Sequence, residues 1–284
     1  MTPGGQGRGK RGRWSSPVLT VGMVICGALL LVAVAAPWLV PRDPAAMSTL
    51  GLAPPGSGHP LGTDVLGRDV LSRLILGSRI SLVIGWMSVL VALVLGVGVG
   101  LAAGLGARGM DRALMLITDA FMAFPRIFLV LLLISLSAPS AGLIILVLGL
   151  TGWMPVARLV RAEALGLRER DFVAAARGLG LSPWRIAWRH VLPNLMPTVI
   201  VAAALRVGGA ILAESFLSFL GLGVQDPVVS WGQMIQQGRN HLLEGWWLVT
   251  FPGLAITLTV VGYNLLGDGL RERLDPRRGK GARV

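Results

Sequence analysis

The sequence predicts an all-α protein that crosses a membrane several times, and its composition and apolar runs carry this prediction. Of its 284 residues, 54% are hydrophobic and only 14% are charged. A soluble domain carries roughly 25% charged residues, so about half of the usual solubilising charge is absent. Uncharged apolar runs of about 20 residues, long enough to cross a bilayer, recur along the chain. The predicted class is therefore a polytopic helical membrane protein.

Six runs are predicted to be transmembrane helices, at 16–40, 80–107, 113–137, 141–158, 195–220 and 246–266. The third and fourth come from one apolar stretch, 112–160, which is too long for a single crossing and contains a breaker at Pro139. Between the first two runs, the segment 41–77 is first polar and then apolar-periodic. Its second part predicts an amphipathic helix on the outer surface that leads into the second span.

The distribution of lysine and arginine predicts the orientation of these spans. The net charge is +12, and the basic residues concentrate in 1–15, 104–112, 158–193 and 271–284. Basic loops stay in the cytoplasm, so both termini are predicted to be cytoplasmic. The alternative for the start is a cleaved signal peptide with Ala33 and Ala35 at its cleavage site. The first apolar run is longer than the about 7–15 residues of a signal peptide, which favours an uncleaved anchor.

The chain is thus predicted to have four parts. They are a basic cytoplasmic tail (1–15), the first helix with the outer amphipathic segment (16–79), a core of five helices (80–270) and a second basic cytoplasmic tail (271–284).

Within the core, the cytoplasmic loop 161–193 is too long to be a plain connection. It is predicted to form two short helices, of which the first runs through 172–177 and is stopped by Gly180. The second begins with Ser182 as N-cap and Pro183 in its first turn, and is predicted to end before residue 192.

The chemistry of this loop leaves two interpretations open. Trp184 and Trp188 are four residues apart and lie on one helical face. The helix pair could lie on the membrane surface with its tryptophans at the headgroups. It could equally be a docking element for a cytosolic partner.

Four further segments lie before and after this loop and form an ordered set with it. They are 62–73 (GTDVLGRDVLSR), 119–125 (DAFMAFP), 214–223 (ESFLSFLGLG) and 264–271 (NLLGDGLR). Together with the loop they resemble the C-type permease subunits of the dipeptide/oligopeptide/nickel family of binding-protein-dependent ABC importers. The loop positions that resemble the family's EAA loop are Ala174, Ala175, Ala176, Gly180, Leu192 and Pro193. Ala174 stands where the family has the glutamate that names the loop, and His190 stands at an apolar position.

The resemblance implies a type I ABC-importer permease core in the bacterial inner membrane. It implies that the loop helices sit in a groove on an ATPase subunit and transmit its closure to the spans. The implied partners are a second permease subunit in a heterodimer, cytosolic ABC ATPase subunits and an extracytoplasmic substrate-binding protein, besides the lipid bilayer. No nucleic acid is expected.

ATP and Mg²⁺ are expected in the partner ATPase rather than in this chain. The only lysines are Lys10 and Lys280, and neither lies in a phosphate-binding loop motif. No nucleophile–base pair presents itself, so no catalytic residue is assigned. Three histidines and the single Cys26 form no cluster in the sequence, so neither a metal site nor an internal disulfide is expected.

Four charges fall inside predicted spans and are candidate functional residues, because such charges are costly in lipid. They are Asp119, Arg126, Arg206 and Glu214. One hypothesis is that they pair across helices or line a polar passage. The other is that Asp119 and Arg206 lie near the cytoplasmic ends of their helices and reach the interface. Pro125 is predicted to kink the third span and is a candidate gate hinge.

The predicted function is a non-catalytic permease subunit for di- or oligopeptides. Within the resembled family, the alternative is a permease for nickel or a nickel chelate. From other classes, a stand-alone secondary transporter lacks a clear inverted repeat here. A membrane enzyme lacks a visible catalytic constellation.

Overall fold

In a computed structural model, which describes residues 17–274, the chain is helical with short connections. The described part contains eleven α-helices and no β-strand, and within it an isolated antiparallel bridge joins Thr63 and Asp69. The helices are α1 Pro17–Leu39, α2 Val70–Leu105, α3 Arg108–Ala123, α4 Arg126–Ser135, α5 Ala141–Leu150, α6 Met154–Arg168, α7 Asp171–Gly178, α8 Pro183–Ile186, α9 Leu192–Phe219, α10 Trp231–Gly238 and α11 Trp247–Leu274. The predicted all-α class is confirmed.

Four helices of the described part are long and apolar enough to cross a membrane, namely α1, α2, the continuous rod formed by α8 and α9, and α11. Two bent pairs can each form one more span. The pair α3–α4 bends by 83°, and the pair α5–α6 bends by 43°. The structure therefore supports four to six spans, and the count of six remains a prediction.

The second span begins earlier than predicted. α2 runs without interruption from Val70 to Leu105, so the helix expected to lead into the second span is the first part of α2 and begins at residue 70. The reason is the N-cap: the Asp69 side chain accepts a hydrogen bond from the backbone N–H of Ser72 and starts the helix at residue 70. Consequently the predicted boundary at 79–80 lies inside α2.

α2 is the central helix of the bundle, and its glycines allow α6 to lie close against it. A Cβ at Gly100 would be 2.7 Å from the carbonyl oxygen of Ala157. A Cβ built at Gly96 or Gly104 would also come too close to α6, whereas a Cβ at Gly98 would have no neighbour within 4 Å. Gly96, Gly100 and Gly104 thus form the α2–α6 interface, as small residues do between membrane helices.

α1 and α11 pack against each other along their length. Gly22 meets Leu266, and Gly269 meets Leu19, so the two described ends of the chain lie at the same end of the bundle. Gly267 meets Leu205 of α9, which begins at that same end. The connection between α6 and α9 is therefore at the same end of the bundle as Pro17 and Leu274, the first and last described residues.

Candidate functional site

The segment between α6 and α9 is more ordered and shorter than predicted. α6 continues to Arg168, although the loop was predicted to begin at residue 161. Ala164 packs against Gly104, and Arg168 donates to the carbonyl of Gly106, so α2 supports these two additional turns. The remaining residues, 169–191, are called the short-helix segment below.

The first predicted helix of this segment is confirmed as α7. Its Val173 and Ala176 are buried, whereas Ala174 and Ala175 are exposed on the other side. Gly180 has a φ of +76°, which L-residues rarely adopt, and this turn allows Leu181 N–H to reach the carbonyl of Ala176. Gly180 therefore ends α7 as predicted.

The second predicted helix begins as expected but does not end as expected. The Ser182 hydroxyl accepts from Arg185 N–H, and Pro183 is the first residue of α8. The predicted end before Leu192 is wrong, because a π-helical turn, Ala187–Val191, carries the chain directly into α9. Pro193 cannot donate to an ordinary helix ladder, and the wider turn before it accommodates this missing bond. Pro193 therefore lies in the first turn of α9 rather than in a break.

A buried apolar cluster ties the short-helix segment to three long helices. Val173, Ala176, Ile186 and Val191 belong to the same cluster as Leu101 of α2, Val160 and Ala164 of α6, and Leu195 of α9. Close-packed interiors transmit displacement rather than absorb it. A force on α7 or α8 therefore reaches α2, α6 and α9 together.

The outer side of the short-helix segment is apolar and surrounded by positive charge. Leu179 is 81% exposed and Trp184 is 72% exposed. The rings of Trp184 and Trp188 pack edge to face at 5.3 Å, which confirms that they share a helical face. Exposed arginines occur along the same segment, at Arg170, Arg177, Arg185 and Arg189.

Two ion pairs join α6 to α3, and the sequence analysis did not find them. Arg158 binds Asp119, and Arg161 binds Asp111. The spacing carried a signal, since the two aspartates lie eight residues apart on one helical face and the two arginines lie three apart. The Asp119 side chain is 56% exposed and its partner is Arg158, so it does not pair with Arg126 or Arg206.

The break at Phe124–Pro125 is confirmed and is sharper than a kink. Phe124 ends α3, and Pro125 precedes the first residue of α4. Because proline lacks the N–H and is disfavoured inside a helix, the two halves separate at an angle of 83°. Whether this break moves as a hinge stays a prediction.

Arg126 and Arg206, the two arginines of the predicted spans, line the same cavity. Arg126 Nη2 donates to the carbonyl of Leu148 at 3.3 Å, and Arg206 Nη1 donates to the carbonyl of Gly152 at 3.0 Å. Both line one cavity of about 190 Å³, together with Ser88. Neither has an ion pair with a carboxylate of the described residues, so Arg126 and Arg206 do not pair with Asp119 or Glu214 within this chain. Whether they line a polar passage stays a prediction.

Glu214 is fully buried at the other end of α9 and interacts with hydroxyl groups. Its Oε1 accepts from Ser218 Oγ and Ser230 Oγ, each at 2.8 Å. Ser215 Oγ lies 3.4 Å from Oε2. Since Ser230 is also the N-cap of α10, Glu214 links α9 to that short helix.

A polar network that the sequence analysis missed holds the loop before α2 against α10. Arg68 Nε donates to Asp64 Oδ2 at 2.6 Å. Arg68 and Arg73 each donate to Gln237 Oε1, at 3.1 and 3.0 Å. Asp226, which is half exposed, lies within 4.0 Å of both guanidinium groups. These bonds bring together residues 169 and 164 positions apart in the sequence.

Asp69 caps α2 next to this network. Its Oδ2 accepts from Ser72 N–H and Ser72 Oγ, and its Oδ1 lies 2.8 Å from His59 Nδ1. Burial alone raises the pKa of this carboxyl. The hydrogen bonds from Ser72 and His59 and the charge of His59 lower the pKa by a larger amount. The net pKa of Asp69 therefore lies below its usual value.

The fold and these sites together define a class, that of multi-span helical membrane proteins with a short-helix segment built rigidly onto several spans. Comparison with known proteins makes the class specific. Residues 95–280 match the family described as the binding-protein-dependent transport system inner membrane component. The chain belongs to this family, and it is a multi-pass protein of the bacterial inner membrane.

Curated relatives are similar over most of their length. The chain is 42% identical over 259 residues to the putative peptide transport system permease protein of Brucella suis, covering 90% of this chain and 87% of the relative. It is 40% identical over 266 residues to the probable D,D-dipeptide transport system permease protein DdpC of Escherichia coli, covering 93% and 89%. It is 42% identical over 258 residues to the dipeptide transport system permease protein DppC of Bacillus subtilis, covering 90% and 81%. The resemblance predicted from the five segments is confirmed.

A solved structure has the same fold. Inward-facing MetNI methionine ABC transporter aligns with a TM-score of 0.57 at 18% identity, covering 72% of this chain and 97% of that one. At this identity the likeness concerns the fold alone. Family membership implies a substrate-binding protein and an energy-supplying partner for this transport component.

Proposed function

We propose that the chain forms half of the translocation pathway of an ATP-driven importer for di- or oligopeptides. The names of the relatives from Brucella suis, Escherichia coli and Bacillus subtilis, which refer to peptide or dipeptide transport, support the substrate class. A second, different permease subunit supplies the other half. ATP and Mg²⁺ bind to the ATPase subunits, and this chain binds no cofactor and performs no catalysis.

In the proposed topology each bent helix pair counts as one span, which gives six, and both termini lie in the cytoplasm. The adjacency of Leu19 and Gly269 supports this topology, because it brings the two described ends to one side. The exposed arginines of the short-helix segment are at that side too, as basic loops are in the cytoplasm. The predicted N-terminal tail, 1–15, lies outside the described residues. Of the predicted C-terminal tail, 271–284, only residues 271–274 are described.

The observation that carries the proposal is the construction of the short-helix segment. Its inner side is buried against α2, α6 and α9, and its outer side presents exposed apolar residues. A segment that only lay on a membrane surface would need no rigid connection to three spans. A docking segment needs such a connection, because closure of the partner must be transmitted to the spans.

The individual coupling residues have distinct proposed roles. Ala174 and Ala175 are small and exposed, so an ATPase backbone can approach them closely. Ala176 anchors α7 from its buried side, and Gly180 sets the turn between the two short helices. Leu192 and Pro193 pass the movement into α9. Pro125, Arg126 and Arg206 are proposed to shape the pathway or its gate. Asp119 and Glu214, the other two intramembrane candidates, are proposed to hold helices together, through Arg158 and Ser230.

A pull-down tests the coupling role. The tagged chain is co-expressed with its partner subunits, purified in mild detergent and analysed by mass spectrometry. The variant Ala175→Arg places a long side chain on the exposed side of α7, and Gly180→Pro disrupts the turn. The control, Ala162→Arg, makes the same change at an exposed alanine of α6 outside the short-helix segment.

The expected result is that the wild type and the control retain a second permease and a Walker-motif ATPase. Both variants keep the second permease and lose the ATPase, which shows that the bundle itself is intact. Retention of the ATPase by both variants would contradict the coupling role. Recovery of the wild-type chain without partners would favour a stand-alone transporter.

A further inference from the structure

Two arginines and a serine from three helices converge on the cavity of about 190 Å³ described above. Ser88 comes from α2, Arg126 from the start of α4 and Arg206 from the middle of α9. The remaining wall is formed by small or apolar residues and by the connection between α5 and α6. The cavity therefore combines a polar centre with an apolar surrounding, which is typical of ligand sites.

The hydrogen-bond donors of this cavity exceed the acceptors available to them. A guanidinium group has five N–H donors. Within residues 17–274, Arg126 and Arg206 each donate to a single carbonyl. Ser88 is 2% exposed, and its hydroxyl oxygen has no hydrogen-bond partner among the described residues. Arg126 is exposed and Arg206 is half-buried in this chain, so solvent reaches part of their donors, whereas the buried Ser88 hydroxyl is left unpaired at a cost. An occupant rich in acceptors satisfies all three groups.

The charge of the cavity is also unbalanced. Both guanidinium groups line the same cavity, where their like charges repel each other. Arg126 is the first residue of α4, where the helix dipole disfavours a cation. The carbonyls at the end of α5 offset part of this charge, but Asp119 binds Arg158 and Glu214 binds serine hydroxyls. A cationic pair without a carboxylate inside a membrane span indicates a functional site.

We propose that this cavity binds the carboxylate of the peptide in transit. The inference rests on the proposed function, and it assigns the pathway's polar contact to Arg126, Arg206 and Ser88. Two guanidinium groups can hold a carboxylate through paired N–H···O bonds, and the serine hydroxyl supplies a further donor. The carbonyls of Leu148 and Gly152 accept the same N–H groups when the cavity is empty, which allows release of the peptide.

The test measures uptake by the assembled importer in proteoliposomes, with saturating loaded binding protein and ATP. The probes are trialanine and trialaninamide, which differ only in the terminal carboxylate. The variants are Arg206→Gln, Arg206→Lys and Ser88→Ala, and the control is Arg79→Gln, an exposed arginine of α2 outside the cavity.

We expect Arg206→Gln to lower maximal trialanine uptake about tenfold, as loss of a charge-assisted hydrogen bond does. Ser88→Ala lowers it less, about threefold, because a neutral hydrogen bond is weaker. Arg206→Lys retains part of the activity, since the charge remains. Uptake of trialaninamide and the half-saturating concentration of binding protein stay unchanged, because neither depends on this contact.

Several outcomes would overturn the inference. Wild-type trialanine uptake in both Arg206→Gln and Ser88→Ala would do so, as would an equal fall for both probes, which indicates a structural role. Loss of the second permease from the purified Arg206→Gln complex would also overturn it, since the occupant would then be a carboxylate of that subunit. If the wild-type complex takes up neither probe, the proposed function itself fails, and the inference with it.

Discussion

Arg161 of α6 forms a two-point ion pair with Asp111 of α3. Its Nε lies 2.5 Å from Asp111 Oδ1, and its Nη2 lies 2.7 Å from Oδ2. The paired geometry fixes the direction of the contact as well as its length. Since α6 leads into the short-helix segment and α3 leads to the break at Pro125, this pair connects the proposed docking site with the proposed gate.

The first prediction follows from this connection. We expect Asp111→Asn to reduce peptide uptake about fivefold per ATP hydrolysed, which corresponds to roughly 1 kcal/mol for a partly exposed pair. ATP hydrolysis itself should remain, because the docking residues are unchanged. Uptake and hydrolysis are measured together in proteoliposomes.

The matched control for this prediction is Asp119→Asn on the same helix. Asp119 and Arg158 are about half exposed, so solvent screens their ion pair more strongly. A smaller effect is expected there. An equal loss of uptake per ATP in the two variants would contradict a specific role for the Asp111 contact.

The second prediction concerns the close approach of α2 and α6. Gly100→Ala places a Cβ 2.7 Å from the backbone carbonyl oxygen of Ala157, so one helix must move. The expected loss of stability is about 1–3 kcal/mol, as for other overpacked sites. Gly98→Ala, two residues away, meets nothing within 4 Å and should be neutral or stabilising by up to about 1 kcal/mol. Thermal unfolding in detergent distinguishes the two, and equal melting temperatures would contradict this packing.

Features controlled by local sequence could be predicted. Ser182 and Pro183 begin a helix through their own backbone preferences, and Gly180 ends one because it tolerates a positive φ. The apolar runs likewise predicted candidate spans, because the transfer of a helix into lipid depends mainly on the residues of that helix. The two short helices between α6 and α9 could therefore be predicted, although the bounds of the segment could not.

Features controlled by distant contacts could not be predicted. The sequence before Pro193 resembles a helix end, and only a π-helical turn makes α8 continuous with α9. The spacing of the aspartates and of the arginines places each pair on one helical face, but it does not indicate that Arg161 meets Asp111, which is 50 residues away. Likewise, the sequence places four charges in the predicted spans, but only helix packing shows that Arg126 and Arg206 share a cavity while Asp119 and Glu214 have other partners.

The third prediction uses the lowered pKa of Asp69. Because its folded pKa lies below the unfolded value of about 3.9, its stabilising effect is complete above that value and is lost as pH falls through the folded pKa. The melting temperature should therefore decrease as the pH is lowered from about 5 toward 3. Asp69→Asn should lower stability at neutral pH and flatten this part of the profile.

A control separates this effect from general acid denaturation. Asp43→Asn changes an exposed aspartate in the same outer loop and should leave the profile as in the wild type. If Asp69→Asn and Asp43→Asn gave the same profile, the cap would not be the source of the acid sensitivity.

The last prediction separates packing from transport at Glu214. Its Oε1 accepts the hydroxyls of Ser218 and Ser230, and an amide oxygen in Gln can accept both equally well. Glu214→Gln should therefore change stability by less than about 1 kcal/mol, whereas Glu214→Leu leaves both buried hydroxyls without this acceptor and costs about 1–3 kcal/mol. Because Ser230 also caps α10, the Leu variant should loosen that helix first, which hydrogen exchange can detect. If Glu214→Gln abolished uptake without lowering the melting temperature, the carboxylate would serve the pathway and not the packing. Since the side chain is completely buried and linked to the α9–α10 junction, we expect the packing result.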